Sequence, residues 1–258
     1  MEGNQLFYKK FGNGNKTIVL FHGFGQTHEI FEPWIDLIQN SYTIYSFDLY
    51  YHGKSMRAEN PLTLKNWKVD FDQFLQQNEI NDFDIGAFSL GGRFALATAK
   101  MFPKSVKKMI LVAPDGVYQN PWYKVAVHPA TNWIFRYLMY HPDQFNSLVK
   151  LARQFSLASY SMIRFAEKEL SIIENRIRVY RSWMYFKCLF LKKTQFSEIQ
   201  CQIDFILGEQ DSIIIPEKIQ EKEQLFKYSN THLLPLKHHQ MIEGSKSLVS
   251  SLLSEDNL

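Results

Sequence analysis

Along the first 115 residues, short apolar runs alternate with longer amphipathic stretches. Lys16–Phe21 (KTIVLF), Tyr42–Phe47 (YTIYSF), Phe83–Ile85 and Lys107–Val112 are brief and rich in β-branched or aromatic residues. Apolar residues at successive positions mark strands buried on both faces. Between them, Glu29–Gln39, Leu64–Gln77 and Arg93–Met101 read as helices. The spacing is clearest in Leu64, Trp67, Phe71, Phe74 and Leu75. Gln5–Phe11 reads as an opening strand, and the Gly-Asn-Gly-Asn turn after it signals a hairpin into Lys16–Phe21. From Val117 to about Phe196 the pattern predicts no strand, only aromatic and basic helical stretches. The alternation resumes with a strand over Ile203–Leu207, a helix over Pro216–Phe226, a strand over Thr231–Leu236 and a last helix near Ser245–Leu253.

Strands alternating with helices imply an α/β class, a mainly parallel sheet covered by helices on both sides. The interruption implies a helical cap, or lid, inserted between two strands. The expected division is a core of residues 1–115 and 197–258 and a cap of residues 116–196.

A length of 258 residues with 45% hydrophobic content fits one large α/β domain bearing an insertion, and excludes disorder. No run is apolar for long enough to span a bilayer. Met-Glu-Gly-Asn-Gln at the start lacks a basic segment followed by an apolar run, so no signal peptide is expected. Cys188 and Cys201 form neither a metal-ligand spacing nor a disulfide framework, which points to reduced thiols and a cytoplasmic location. A net charge of +3 is too small to suggest nucleic acid. Its distribution says more: residues 116–196 hold twelve Lys or Arg against four Asp or Glu. A basic segment inside a mildly acidic body suggests separate physical tasks, with an anionic partner at the basic cap as one of them.

The candidate chemistry centres on Asp84-Ile-Gly-Ala-Phe-Ser-Leu-Gly-Gly92. A strand reversing directly into a helix brings backbone close around its central residue, so only small side chains fit two positions away. Ala87 and Gly91 meet that requirement around Ser89. Such a turn strains the serine and lifts its hydroxyl clear of the sheet, with the Leu90 N–H aimed at whatever the hydroxyl attacks. His22-Gly23-Phe24-Gly25 follows another strand, and its Phe24 N–H joins that of Leu90 as a candidate oxyanion hole. Asp211 closes the strand Ile203–Leu207, in position to orient a catalytic imidazole. His238 and His239 follow the strand Thr231–Leu236. Counting four residues beyond Pro235 favours His239 as the base, whereas counting back from Glu243 favours His238.

Together these motifs resemble the α/β-hydrolase superfamily over nearly the whole chain. His22–Gly25 is similar to its oxyanion turn, and Asp48 through His52-Gly53-Lys54-Ser55 to its Asp-x-x-x-x-Gly-x-Ser loop. Ala87–Gly92 resembles its nucleophile elbow, Gly208–Asp211 its acid loop, and Gly116–Phe196 falls where the family carries a helical cap. The sequence departs from the pattern at Ala87, where glycine is commoner, and at the second histidine.

The reading is a serine hydrolase with Ser89, His239 (alternatively His238) and Asp211 as triad, cleaving a small-molecule carboxylic ester with an apolar acyl or aryl group. It calls for no metal and no organic cofactor. The alternatives are carbon–carbon bond or thioester hydrolysis, including carrier-protein-bound esters, and a non-catalytic ligand receptor on the same fold.

Overall fold

The computed structural model describes residues 6–55, 62–157, 163–164, 166–167 and 170–254. Gln5, the first residue of the expected opening strand, therefore lies outside the described residues. The chain forms two compact units, Met1–Tyr118 with Cys188–Leu258, and Gln119–Lys187. The helical segment expected at residues 116–196 thus ends earlier in structural terms, because Cys188–Phe196 belong with the sheet.

The sheet unit is built on seven strands. They are β1 (Tyr8–Phe11), β2 (Lys16–Phe21), β3 (Tyr42–Phe47), β4 (Phe83–Phe88), β5 (Val106–Val112), β6 (Gln202–Gly208) and β7 (Ser229–Leu234). Their spatial order is β1-β3-β2-β4-β5-β6-β7. All neighbours are parallel except β1, which runs antiparallel to β3 with Tyr8 opposite Phe47.

The β1–β2 hairpin suggested by the glycine-asparagine turn does not form, because β1 pairs with β3. The turn instead lies against the end of the following helix. A Cβ on Gly12 would stand 2.2 Å from the Tyr42 carbonyl oxygen and one on Gly14 2.0 Å from the Ser41 carbonyl carbon. Asn13 and Lys16 donate their N–H groups to the Gln39 and Ser41 carbonyls. This close approach carries the chain past β3 and lets β2 enter the sheet on its far side.

Period-two alternation then fills both faces. Ile18 and Leu20 join a buried cluster with Trp34 and Ile35 of α1 (Glu32–Ile38) and with Ile242 and Val249 of α10 (Met241–Ser254). The Trp34 indole N–H donates to the Ile242 carbonyl at 2.9 Å and pins those two helices together. Phe21, one residue on, faces the opposite layer and packs on Trp67 and Phe71 of α2 (Leu64–Gln77) and Phe94 of α3 (Gly91–Met101). Each fully buried side chain of this size contributes about 1.5–3 kcal/mol, which is why the apolar runs were so legible. Short α8 (Lys193–Phe196) and α9 (Pro216–Glu223) complete the unit.

The second unit contains α4 (Pro121–Val127), α5 (Asn132–Tyr140), α6 (Pro142–Gln154) and α7 (Ile173–Tyr185). Its small core gathers Tyr123, Phe135, Met139, Phe145 and Val179, with Phe135 stacked on Trp183. The Tyr123 hydroxyl donates to the Trp183 carbonyl at 3.0 Å. Arg176, a member of the basic segment, is 1% exposed. Its guanidinium carbon lies 5.7 Å from the Phe145 ring centroid, and its Nε and Nη1 have no hydrogen-bond partner among the described residues. Among the described residues, no helix is long and apolar enough to cross a membrane.

Candidate active site

Strand β4 is buried throughout and ends at Phe88, and the chain reverses into α3 within two residues. Ser89 sits at that reversal with φ of 49°, a left-handed conformation that costs a non-glycine residue free energy. Three backbone hydrogen bonds hold it there. Ser89 N–H donates to Val112, and its carbonyl accepts from Gly92 at 2.9 Å and Asp115 at 2.8 Å. A Cβ on Gly91 would lie 2.0 Å from the Phe21 carbonyl oxygen, so the small residue two positions after the serine is a steric requirement. Ala87, two before, is fully buried. The serine itself is half-buried.

Asp211 stands in the turn that closes β6. Its Oδ1 accepts from the N–H groups of Ile213 and Ile214 at 2.8 and 2.9 Å, leaving Oδ2 for a side-chain partner. That partner is His238, whose Nδ1 lies 2.6 Å from Oδ2. His238 Nε2 is 3.1 Å from Ser89 Oγ. With the ionised carboxylate accepting, Nδ1 carries the ring proton and Nε2 presents its lone pair to the serine hydroxyl. The Phe88 ring, 5.0 Å away between centroids, packs on the imidazole. The loops after β6 and β7 are tied by Glu209 N–H to Leu234 O and Gln210 N–H to Leu236 O.

The structure therefore brings Ser89, Asp211 and His238 together and leaves His239 apart. The favoured assignment of His239 is corrected on geometry. Strand β7 ends at Leu234, one residue before the point from which the count ran. Leu236 N–H then donates back to Leu234 O at 2.7 Å, and a single 3-10 turn begins at His238. That compression brings the first histidine inward and leaves the second exposed.

The turn after β2 is fixed by Gln26 and by His22. Gly23 N–H donates to the Gln26 side-chain oxygen at 2.9 Å. His22 is fully buried, with Nδ1 2.6 Å from the Gly23 carbonyl and Nε2 accepting the Leu49 N–H at 2.9 Å. Burial, with the neighbouring His52 next in importance, pushes its pKa from 6.5 down to about 3. It is a neutral structural ring. Neither the Phe24 nor the Leu90 N–H donates to an acceptor among the described residues.

Asp48 anchors the next loop. Burial works against its charge, but N–H groups of Lys54 and His28 and the His28 ring outweigh this and lower its pKa. The contacts are 2.8 Å from Lys54 N and 2.7 Å from His28 N. Gly53, at φ of 51°, leaves room that a Cβ would deny, since it would meet Asp48 Oδ2 at 2.0 Å. His28 is twenty residues away in sequence, so nothing in the pattern announced this pair. Burial pushes the Cys201 thiol up to about 12, which keeps it protonated and unreactive. Among the described residues, no group of His, Cys, Asp or Glu is placed to hold a metal ion.

Residues 16–239 match the family model described as the alpha/beta hydrolase fold, and the chain belongs to that family. A probable lysophospholipase of Arabidopsis thaliana, BODYGUARD 2, is 28% identical over 184 residues, covering 64% of this chain and 37% of the relative. The chain spans about half or less of the length of the curated relatives it matches. Among solved structures, a thermophilic esterase from Thermogutta terrifontis superposes with a TM-score of 0.70 at 16% identity, covering 97% of this chain and 92% of that one. The meta-cleavage product hydrolase of Pseudomonas fluorescens IP01 gives 0.69 at 18% identity, covering 98% and 95%. At such identities the likeness is one of fold. The relatives include esterases, lipases and other hydrolases, and the family is one of hydrolase-type enzymes.

Proposed function

We propose that this chain is a serine hydrolase that cleaves carboxylic esters through an acyl-enzyme. The observation that carries the reading is the continuous hydrogen-bonded series Asp211 Oδ2, His238 Nδ1, His238 Nε2 and Ser89 Oγ, with the serine held at a positive φ. Ser89 Oγ attacks the ester carbonyl as its proton passes to His238 Nε2, and Asp211 stabilises the imidazolium that forms. The oxygen of the tetrahedral intermediate takes the N–H groups of Leu90 and Phe24, each contributing on the order of 3 kcal/mol. His238 returns the proton to the departing alcohol. It then takes one from water as that water attacks the acyl carbon, and gives it to Ser89 Oγ as the acyl–oxygen bond breaks and the acid leaves. The preference for an apolar acyl or aryl group rests on the aromatic content of residues 116–196.

The test is labelling with a fluorophosphonate followed by mapping of the modified residue, with turnover of p-nitrophenyl esters of graded chain length. Modification at Ser89 is expected. Ser89→Ala and His238→Ala each lower turnover by about 10⁴-fold or more, whereas His239→Ala changes it by less than about threefold. Loss of activity in His239→Ala with retention in His238→Ala would overturn the assignment. Absence of labelling and of turnover would leave the fold without this chemistry.

A further inference from the structure

Within the helical unit, α5 and α6 carry more apolar surface than their own core uses. On α5, Phe135, Leu138 and Met139 face inward, while Trp133, Tyr137 and Tyr140 lie within roughly 60° of one another on the opposite side. Trp133 is 65% exposed and Tyr137 46%. On α6, Phe145, Val149 and Ala152 supply the inward stripe. Leu148 and Leu151 form a second stripe, within roughly 60°, which Phe155, capping the end of the helix, extends; Phe155 is 60% exposed. Water is a poor medium for two consecutive helices bearing such faces.

The charge of the helical unit narrows what covers these faces. Residues 119–187 hold ten Lys or Arg against four Asp or Glu, an excess of six. Arg136 and Lys150 are exposed on the same two helices, with the Arg136 guanidinium 5.9 Å from the Tyr140 ring. A second copy of this chain would set the same positive excess against itself, which disfavours self-association. Tryptophan and tyrosine flanked by Arg136, with Lys150 at the margin of the α6 stripe, suit the boundary between acyl chains and anionic headgroups. We propose that the outward faces of α5 and α6 dock on a bilayer surface carrying anionic lipid. The proposal does not rest on the hydrolase chemistry, because it concerns a surface and not Ser89.

The experiment is co-sedimentation of the full chain with vesicles of phosphatidylcholine alone or containing about a third phosphatidylglycerol, at low and high salt. Binding to the anionic vesicles is expected, with most of it lost at about 0.5 M salt. Leu151→Glu and Phe155→Glu should each weaken it by about tenfold or more, with circular dichroism and melting temperature unchanged as the check on folding. Arg136→Glu with Lys150→Glu should abolish the preference for anionic over neutral vesicles. No sedimentation with either vesicle, or equal binding by the glutamate variants, overturns the proposal. So does concentration-dependent dimerisation, without vesicle binding, that Leu151→Glu and Phe155→Glu abolish. That last outcome assigns the surface to a second copy of the chain.

Discussion

Acidification from neutral pH should destabilise the sheet unit through His22, well before the carboxylates are protonated. The ring is fully buried, and its two nitrogens are committed: Nδ1–H donates to the Gly23 carbonyl and Nε2 accepts from Leu49 N–H. A second proton, on Nε2, would set N–H against N–H and place a charge where no water reaches it. Its pKa accordingly falls from 6.5 to about 3. Between those values the unfolded chain binds a proton that the folded chain refuses, so stability is full above about pH 6.5 and is lost as pH falls. The limiting cost is on the order of 5 kcal/mol, and the part reached between about pH 7.5 and about pH 5 is roughly 2 kcal/mol. Urea denaturation across this range in the wild type and in His22→Asn measures it, the variant being expected to lack that share of the slope. Nitrogen NMR of the His22 ring provides a second readout that does not depend on the variant folding. Titration of His22 near 6.5, or identical slopes in the two proteins, would refute the argument.

Two further outcomes follow from particular contacts. Gly91→Ala forces a Cβ to 2.0 Å from the Phe21 carbonyl oxygen, which only movement of backbone can relieve; a loss of about 3 kcal/mol or more is expected in urea denaturation, together with reduced labelling of Ser89. Arg176→Met replaces a buried guanidinium, whose Nε and Nη1 find no partner among the described residues, by an apolar chain of similar length. Stability should hold or rise by about 1–2 kcal/mol, since desolvating a charge with those two nitrogens unsatisfied costs more than its contact with Phe145 returns; a loss of that size in urea denaturation would show that the charge is needed.

Much of this molecule is determined by sequence alone. Strands β2 and β3 fall where the apolar runs place them, Lys16–Phe21 and Tyr42–Phe47, because burial on both faces leaves an uninterrupted run of large side chains. The strand-turn-helix around Ser89 is equally legible, since the steric demand on Ala87 and Gly91 is local and needs no knowledge of the rest of the chain. Contacts between distant segments are another matter. The partner of β1, the pairing of His28 with Asp48 and the burial of Arg176 each depend on which elements meet, and no periodicity within a segment records that. The choice between His238 and His239 is the sharpest case. Both residues belong to one short connection, and only the early end of β7 and the tightness of the turn after it decide which imidazole reaches Ser89. A shift of one residue in a strand end is invisible to composition, yet in three dimensions it separates an imidazole bonded to the serine from one in open water.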